Sequence, residues 1–436
     1  MAGVSPGRRA ALEVLRATGR GRRLDRALDE ALRSLPEEER GWVHELTYGV
    51  QRLRGRLDHL LDHHLRDGIG SVSTLLLDLL RLGAYQLLYM DGVPPYAALS
   101  QTVEQARGEL GGPSTGLVNG VLRSIQRTGD DPSLFPSRES DPAGWLSTWG
   151  SHPRWLVERW LTRWSTEAVE RLVVQDARPP ELFVRPVGVT VAEAVEGLER
   201  AGIDADPVGR GSGCVRVRGA HPEEALSAVP AIVQDPAAGL VVSYAAPTPG
   251  SLVADLCAAP GGKGLALASR ASYVLAGDAS PARLRLVAGT VKRLGMGGRV
   301  GVVAARAEAP PLSGADLVLL DVPCTGTGTL RRRPDSRWRL EPDEPARLAA
   351  VQRRILEGAA PAVRPGGHLV YATCTLEPEE NEEQVVSFLK AHDEFRVDVA
   401  EGAVPDDFLD PEGFLRVLPQ ESGFDGSFAA RLRRVG

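Results

Sequence analysis

Between residues 251 and 374 the chain repeats one pattern: apolar run, turn, helical stretch. SLVADLC leads through a glycine loop into KGLALASRA, and YVLAGDAS precedes PARLRLVAGTVKRLG. RVGVVAA, ADLVLLDVPC and GGHLVYATC are further apolar runs of strand length. Strands alternating with helices imply an open parallel sheet with helices on both faces. Such sheets bind ligands outside the carboxyl ends of their strands. Cys257, Asp278, Asp321, Cys324 and Cys374 all fall at these expected strand ends, which makes that edge the place to look for chemistry.

The rest of the chain reads differently. At 436 residues it exceeds one ordinary domain. Residues 1–128 look all-helical. LLLDLLRLGAYQLLYM (75–90) is apolar almost all round, as a central buried helix would be, and it stops at Asp91-Gly92 with Pro94 and Pro95 beyond. GLVNGVLRSIQR (116–127) puts Leu117, Val118, Val121, Leu122 and Ile125 on one face. Residues 129–150, rich in Asp, Pro, Ser and Gly, read as a linker. Residues 151–230 read as a small α+β domain, from the strand ELFVRPVG, the amphipathic helix TVAEAVEGLERAGI and the alternating strand GCVRVRG. Residues 231–436 hold the strand–helix repeat. The expected fold is therefore multidomain: a helical bundle, a small α+β domain and a Rossmann-like α/β domain.

Composition narrows the function classes. A net charge of −6 argues against a nonspecific polyanion binder, although Arg331 to Arg354 is locally basic. The four cysteines (Cys214, Cys257, Cys324, Cys374) show no Cys-x-x-Cys spacing, so no metal site and no disulfide scaffold are expected. No apolar run is long enough to span a bilayer, and MAGVSPGRRAALEVL lacks a signal peptide's apolar core, so the expected location is cytoplasmic.

Three motifs carry candidate chemistry. DLCAAPGGKG (255–264) has glycines that let backbone amides approach a ligand, with a helix behind them. It matches neither Gly-x-Gly-x-x-Gly nor a P-loop. Asp278 ends the next strand, where an acid accepts hydrogen bonds from ribose hydroxyls. A ligand with a ribose and a small anionic group fits, and S-adenosyl-L-methionine is one; the bland reading is a tight structural turn.

DVPCTGTGTLRRRPDSRW (321–338) sets an acid and a thiol before a glycine-rich loop and arginines. Free cysteines are most often buried packing residues, yet Cys324, between Pro323 and a Thr-Gly-Thr-Gly loop, is poorly placed for a core. Arg331, Arg332, Arg333 and Arg337 would suit a phosphate backbone and Trp338 a base, against the bland reading of a solvated charged face. YATCTLEPEENE places Cys374 at another strand end, followed by Glu379, Glu380, Glu382 and Glu383, which read best as a solvated helix start.

A thiol beside a methyl donor suits one electrophile well, a pyrimidine base. Carbon 5 of cytosine is a poor nucleophile. A thiolate adding to carbon 6 makes carbon 5 enamine-like and able to take a methyl group; a base then removes the carbon-5 proton and the thiol leaves. Residue patterns alone do not order the two cysteines.

Together the three motifs resemble those of the RsmB/Sun family of RNA cytosine-5 methyltransferases. VQDPAAGLVVSYAAPTPGSLVADLCAAPGGK is similar to the segment leading into that family's cofactor loop, and FDGSFAARLRR (424–434) to its closing strand pair. ELTYGVQRLRGRLD, LRLGAYQLLYMDGVPPYAALSQTVEQA and GLVNGVLR resemble the NusB-like RNA-binding helical domain, a fusion that points to the small-subunit ribosomal RNA branch. The resemblance implies a class I methyltransferase domain using S-adenosyl-L-methionine, with 16S ribosomal RNA as partner, no DNA or membrane partner, and a monomer as the default. By position it implies Cys374 as nucleophile, Cys324 as the residue that assists adduct breakdown, and Asp321 beside methyl donor and target base. Cys257, Ala258, Ala259, Pro260, Gly261, Gly262 and Lys263 would line the cofactor loop, with Asp278 on the ribose and Asp321 nearby.

The chain departs from the family pattern at four places. Ala304, Ala305 and Arg306 stand where an Asp usually follows the third strand, with Glu308 the nearest substitute; Gly264 replaces a Thr; Pro186 and Ser427 replace an Asn and an aromatic. Two alternatives stay open from the sequence: transfer RNA as substrate, or a catalytically inert RNA-binding or antitermination-type protein.

Overall fold

A computed structural model describes residues 3–435 and divides the chain into two compact units. One comprises the chain through Pro179 together with Leu330–Pro342; the other comprises Pro180–Thr329 and Asp343 onward.

The first unit is helical. Its central helix, Thr74–Tyr89, starts where the Ser73 side chain accepts from Leu76 N–H, and it buries residues on nearly every side. Even its charged pair is internal: Arg81 donates to Asp78 at 2.8 Å and forks onto Asp58 at 2.6 and 2.8 Å. Helix Pro113–Thr128 buries Val118, Val121, Leu122 and Ile125 as the spacing predicts, but Leu117 stays 42% exposed at the stripe's edge.

The stretch 129–150 is more than a connector. Asp141 caps a short helix, Pro142–Thr148, and Trp145 stacks on Trp149 with Phe135 set edge-on to both. These aromatics bury enough surface to fix a segment whose polar composition reads as a linker. Helices Arg154–Leu161 and Thr166–Asp176 complete the unit, which runs to Pro179.

Leu330–Pro342 also belongs here, which overturns most of the nucleic-acid reading of that stretch. Arg337 is fully buried and donates to the carbonyls of Ser151, Asp176 and Leu330. Arg331 donates to Pro179 O, and the Trp338 indole N–H to Gln51 O. These side chains satisfy orphaned backbone acceptors. Arg333 alone of the three consecutive arginines is exposed.

The second unit holds two sheets. Strands β1 (Leu182–Pro186), β2 (Asp204–Pro207), β3 (Val215–Arg218) and β4 (Ala231–Val233) form an antiparallel sheet in the order β2-β3-β1-β4. Helix Val191–Arg200 covers it, opened by a Thr190/Glu193 capping box. The main sheet contains β5 (Leu252–Asp255), β6 (Tyr273–Asp278), β7 (Val300–Ala304), β8 (Ala315–Asp321), β9 (Val363–Thr373), β10 (Phe395–Val397), β11 (Leu415–Val417) and β12 (Ser427–Arg434). Its order is β10-β12-β9-β8-β5-β6-β7, with β11 also on β12. Strands β5 to β9 are mutually parallel, and β12 runs antiparallel to β9. The chain moves outward from β5 through β6 and β7, then returns to β8 on β5's other side. That reversal opens a crevice between β5 and β8. Among the described residues no helix is long and apolar enough to cross a membrane.

Candidate active site

The loop after β5 is shaped by backbone and by a buried acid. Gly261 adopts φ +112°, a conformation side chains resist, and opens helix Gly262–Leu267. A β-carbon on Gly262 would stand 3.2 Å from Gln234 Nε2, and one on Gly264 would come within 2.7 Å of Asp255 Oδ2. Asp255 is 1% exposed and its Oδ1 has no hydrogen-bond partner within the protein. Burial first, then the neighbouring Asp321 charge, push its carboxyl up to about 7. Gln234 Oε1 is likewise buried without a partner. Asp278, at the end of β6, accepts from Ala259 N–H at 3.2 Å and Ser280 N–H at 2.8 Å, so its carboxylate is fixed beside the loop.

Lys263 projects from that loop across to β8. Its Nζ donates to Asp321 Oδ2 at 2.7 Å, joining the two strands that flank the crevice. Burial, the largest single influence, would lower the ammonium's proton affinity, but Asp321 together with Cys374 and Asp255 outweighs it and the net shift is upward.

The two motif cysteines meet at the next pair of strand ends. Asp321 and Ala372 are in register across β8 and β9. Three residues beyond the first and two beyond the second, the sulfurs of Cys324 and Cys374 lie 3.4 Å apart, too far for a disulfide and close enough for a thiol hydrogen bond. The Cys374 backbone N–H also points at the Cys324 sulfur at 3.4 Å. Cys324 is pushed well up, first by its hydrogen bond to Cys374 and then by burial, so it is held as the proton-bearing partner. Both residues are partly exposed.

Cys257 lies on the β5 loop, its thiol pushed up by burial and by surrounding carboxylates that include Glu308. Ala258 and Ala259 are buried and Pro260 exposed. At the end of β7, Ala304 and Arg306 are exposed, and Glu308 receives Arg306 Nη2 at 3.0 Å. Cys257, Asp278, Asp321, Cys324, Cys374 and Lys263 therefore converge on one sheet edge.

Sequence reasoning missed how the two cysteine loops are joined. Glu380 is fully buried, not a solvated helix start. With Thr325, Thr327, Thr375, Gln352 and Glu377 it forms an internal polar network between the loops. The threonines interleaved with the cysteine motifs were the available signal: a hydroxyl at each alternate position of TGTGT and ATCT is more than a turn requires.

The chain is similar to known proteins along nearly its whole length. Residues 242–433 match the family described as 16S rRNA methyltransferase RsmB/F, residues 5–127 match the NusB family, and residues 152–223 match an RsmF/B-like ferredoxin-like domain. Ribosomal RNA small subunit methyltransferase B of Cronobacter sakazakii is 33% identical over 437 residues, covering 97% of each chain. The protein of the same name from Vibrio cholerae is 32% identical over 433 residues, covering 98% of this chain and 96% of its own. The crystal structure of PH0851 superposes with a TM-score of 0.79 at 26% identity, over 99% of this chain and 100% of that one.

Proposed function

Because this chain belongs to the RsmB/F family of 16S rRNA methyltransferases, we propose that it methylates carbon 5 of a cytosine in small-subunit ribosomal RNA through a covalent cysteine adduct, with S-adenosyl-L-methionine as methyl donor. The observation that carries this reading is the pair of sulfurs 3.4 Å apart beside the Lys263–Asp321 ion pair. A single thiol at a strand end would suit many roles; two in contact suit a nucleophile that must also be released.

The residues fit the donor. The strained glycine at 261 gives backbone access, Asp278 presents a fixed carboxylate for ribose hydroxyls, and the unpartnered buried oxygens of Gln234 and Asp255 lie against the same loop. When bound, the donor supplies an electrophilic methyl group. Glu308 stands in for the missing acid after β7, its charge already felt at Cys257.

Cys374 adds to carbon 6 as a thiolate, making a carbon–sulfur bond and placing electron density on carbon 5. Cys324, the proton-bearing thiol, stabilises the Cys374 thiolate before attack and stands next to the same sulfur when it leaves. Once carbon 5 is methylated, loss of its proton to a base restores the ring double bond and expels Cys374. Asp321, anchored by Lys263, faces the target base.

A covalent-trap assay tests this. Wild-type, Cys324→Ala and Cys374→Ala proteins are incubated with S-adenosyl-L-methionine and 16S ribosomal RNA and resolved on a denaturing gel. A protein–RNA adduct should accumulate in Cys324→Ala alone, and Cys374→Ala should lose turnover. Substantial methyl transfer by Cys374→Ala would sink the covalent mechanism, and an adduct that requires Cys324 would reverse the two roles.

A further inference from the structure

We propose that Glu380 is a positioning residue for the cysteine pair: its buried carboxylate ties the Cys324 loop to the end of β9 and sets the separation of the two sulfurs. The inference rests on reading that pair as the reaction centre.

The geometry is specific to the two cysteines. Glu380 Oε2 accepts from the Thr325 backbone N–H at 2.9 Å, and Oε1 accepts from the Thr325 hydroxyl and, at 3.1 Å, from the Thr375 hydroxyl. Thr325 follows Cys324 and Thr375 follows Cys374, so one carboxylate grips the residue after each sulfur. The Gln352 amide donates to Glu380 Oε2 at 2.8 Å and to Pro323 O at 2.9 Å, which brackets Cys324 from the other side. Tyr371, three residues before Cys374 on β9, donates its hydroxyl to the Glu380 carbonyl at 2.6 Å.

All four of these donors to the carboxylate are neutral. Burying a carboxylate on neutral donors is costly, and apolar packing would join two loops at least as stably. What such a network adds is directional constraint on the groups it holds. The Glu380 charge also acts on Cys324, where it adds to the hydrogen bond that Cys324 donates to Cys374 and to burial in keeping that thiol protonated.

The test reads the sulfurs without RNA. Phenylarsine oxide, which bridges two close thiols, is titrated into the full-length wild type, Glu380→Gln, Glu380→Ala and Thr375→Val, with Cys324→Ala as the zero. S-adenosyl-L-methionine affinity and melting temperature are measured in parallel. Glutamine keeps the shape and can exchange hydrogen bonds with both hydroxyls, so Glu380→Gln should retain wild-type arsenical affinity within about threefold. Glu380→Ala should lose about tenfold or more, with donor affinity little changed. In methyl transfer to RNA, Glu380→Ala should lower kcat by about tenfold with an unchanged KM for the donor, and should accumulate adduct.

Unchanged arsenical affinity in Glu380→Ala would overturn the proposal. So would a loss that tracks the loss of donor binding, since that marks a merely structural role. If Glu380→Ala does not fold, Thr375→Val carries the same expectations at a smaller size. A wild type that bridges the arsenical normally but leaves cytosine unmethylated would defeat the proposed reaction and not the clamp.

Discussion

Lys263 holds Asp321 at 2.7 Å across the β5–β8 crevice while its charge also reaches the fully buried Asp255. One cation thus serves two carboxylates. Replacing it by methionine keeps the stem's packing and leaves both acids uncompensated. Lys263→Met should destabilise the protein by about 1–3 kcal/mol at pH 8, discounted because Asp321 is 32% exposed. The loss should be smaller at pH 5, where Asp255 takes up a proton. Urea unfolding at the two pH values checks both parts; an equal loss at each would detach Lys263 from Asp255.

Asp255 itself makes stability fall as pH rises. Its folded carboxyl sits at about 7, above an ordinary unfolded value of 3.8. The folded state therefore holds a proton that the unfolded chain has released. The associated stability is complete below about pH 4 and is lost as pH rises toward 7, with a slope of at most roughly 1.4 kcal/mol per pH unit. Asp255→Asn should remove that slope. Denaturant midpoints of the two proteins between pH 4 and 8 should converge at the acid end and separate at the alkaline end.

The four cysteines should label in a fixed order. Burial pushes the Cys214 thiol up to about 12 and leaves it 1% exposed, and Cys257 is raised further by the acids around it. Iodoacetamide on the native protein at pH 7.5, read by peptide mass spectrometry, should modify Cys374 first and leave Cys214 untouched. Prompt alkylation of Cys214 would contradict its burial against the Ser212 and Gln234 carbonyls.

Arg337 should behave as a core residue. Removing it strands three buried carbonyls, so Arg337→Ala should cost about 3 kcal/mol or more. Arg333→Ala, at an exposed site, should change stability by less than about 0.5 kcal/mol. Thermal melts of the two variants separate the buried from the solvated member of one basic stretch.

The main sheet was legible because its strands are apolar throughout and end on chemically conspicuous residues. Asp278 and Asp321 terminate β6 and β8 as read, and the cysteines follow β8 and β9. Short strands such as β2, β10 and β11, three or four residues each, leave too little pattern to read and exist because a longer neighbour offers them hydrogen bonds. Side-chain fate was the weaker part. Glu380 and Arg337 carry charges that belong on a surface by default, and only tertiary partners far along the chain decide otherwise: Thr325 for the first, Ser151 and Asp176 for the second. The aromatics of 129–150 were visible, but Asp, Pro and Ser around them outweighed three rings that act only when brought together.

The membership of Leu330–Pro342 in the helical unit has a consequence for how the protein is made. Synthesis runs from the amino end, and a domain ordinarily folds once its own segment has emerged. Here the helices through Pro179 lack their last strip of packing, with the acceptors at Ser151 and Asp176 still open, until Arg337 has left the ribosome. By then β5 to β8 have already been made. The first unit cannot be completed until four strands of the second unit's main sheet have been made, and a gene cut at residue 179 would leave each product with a defect: one without its closing strip, the other carrying that strip with nothing to cover it.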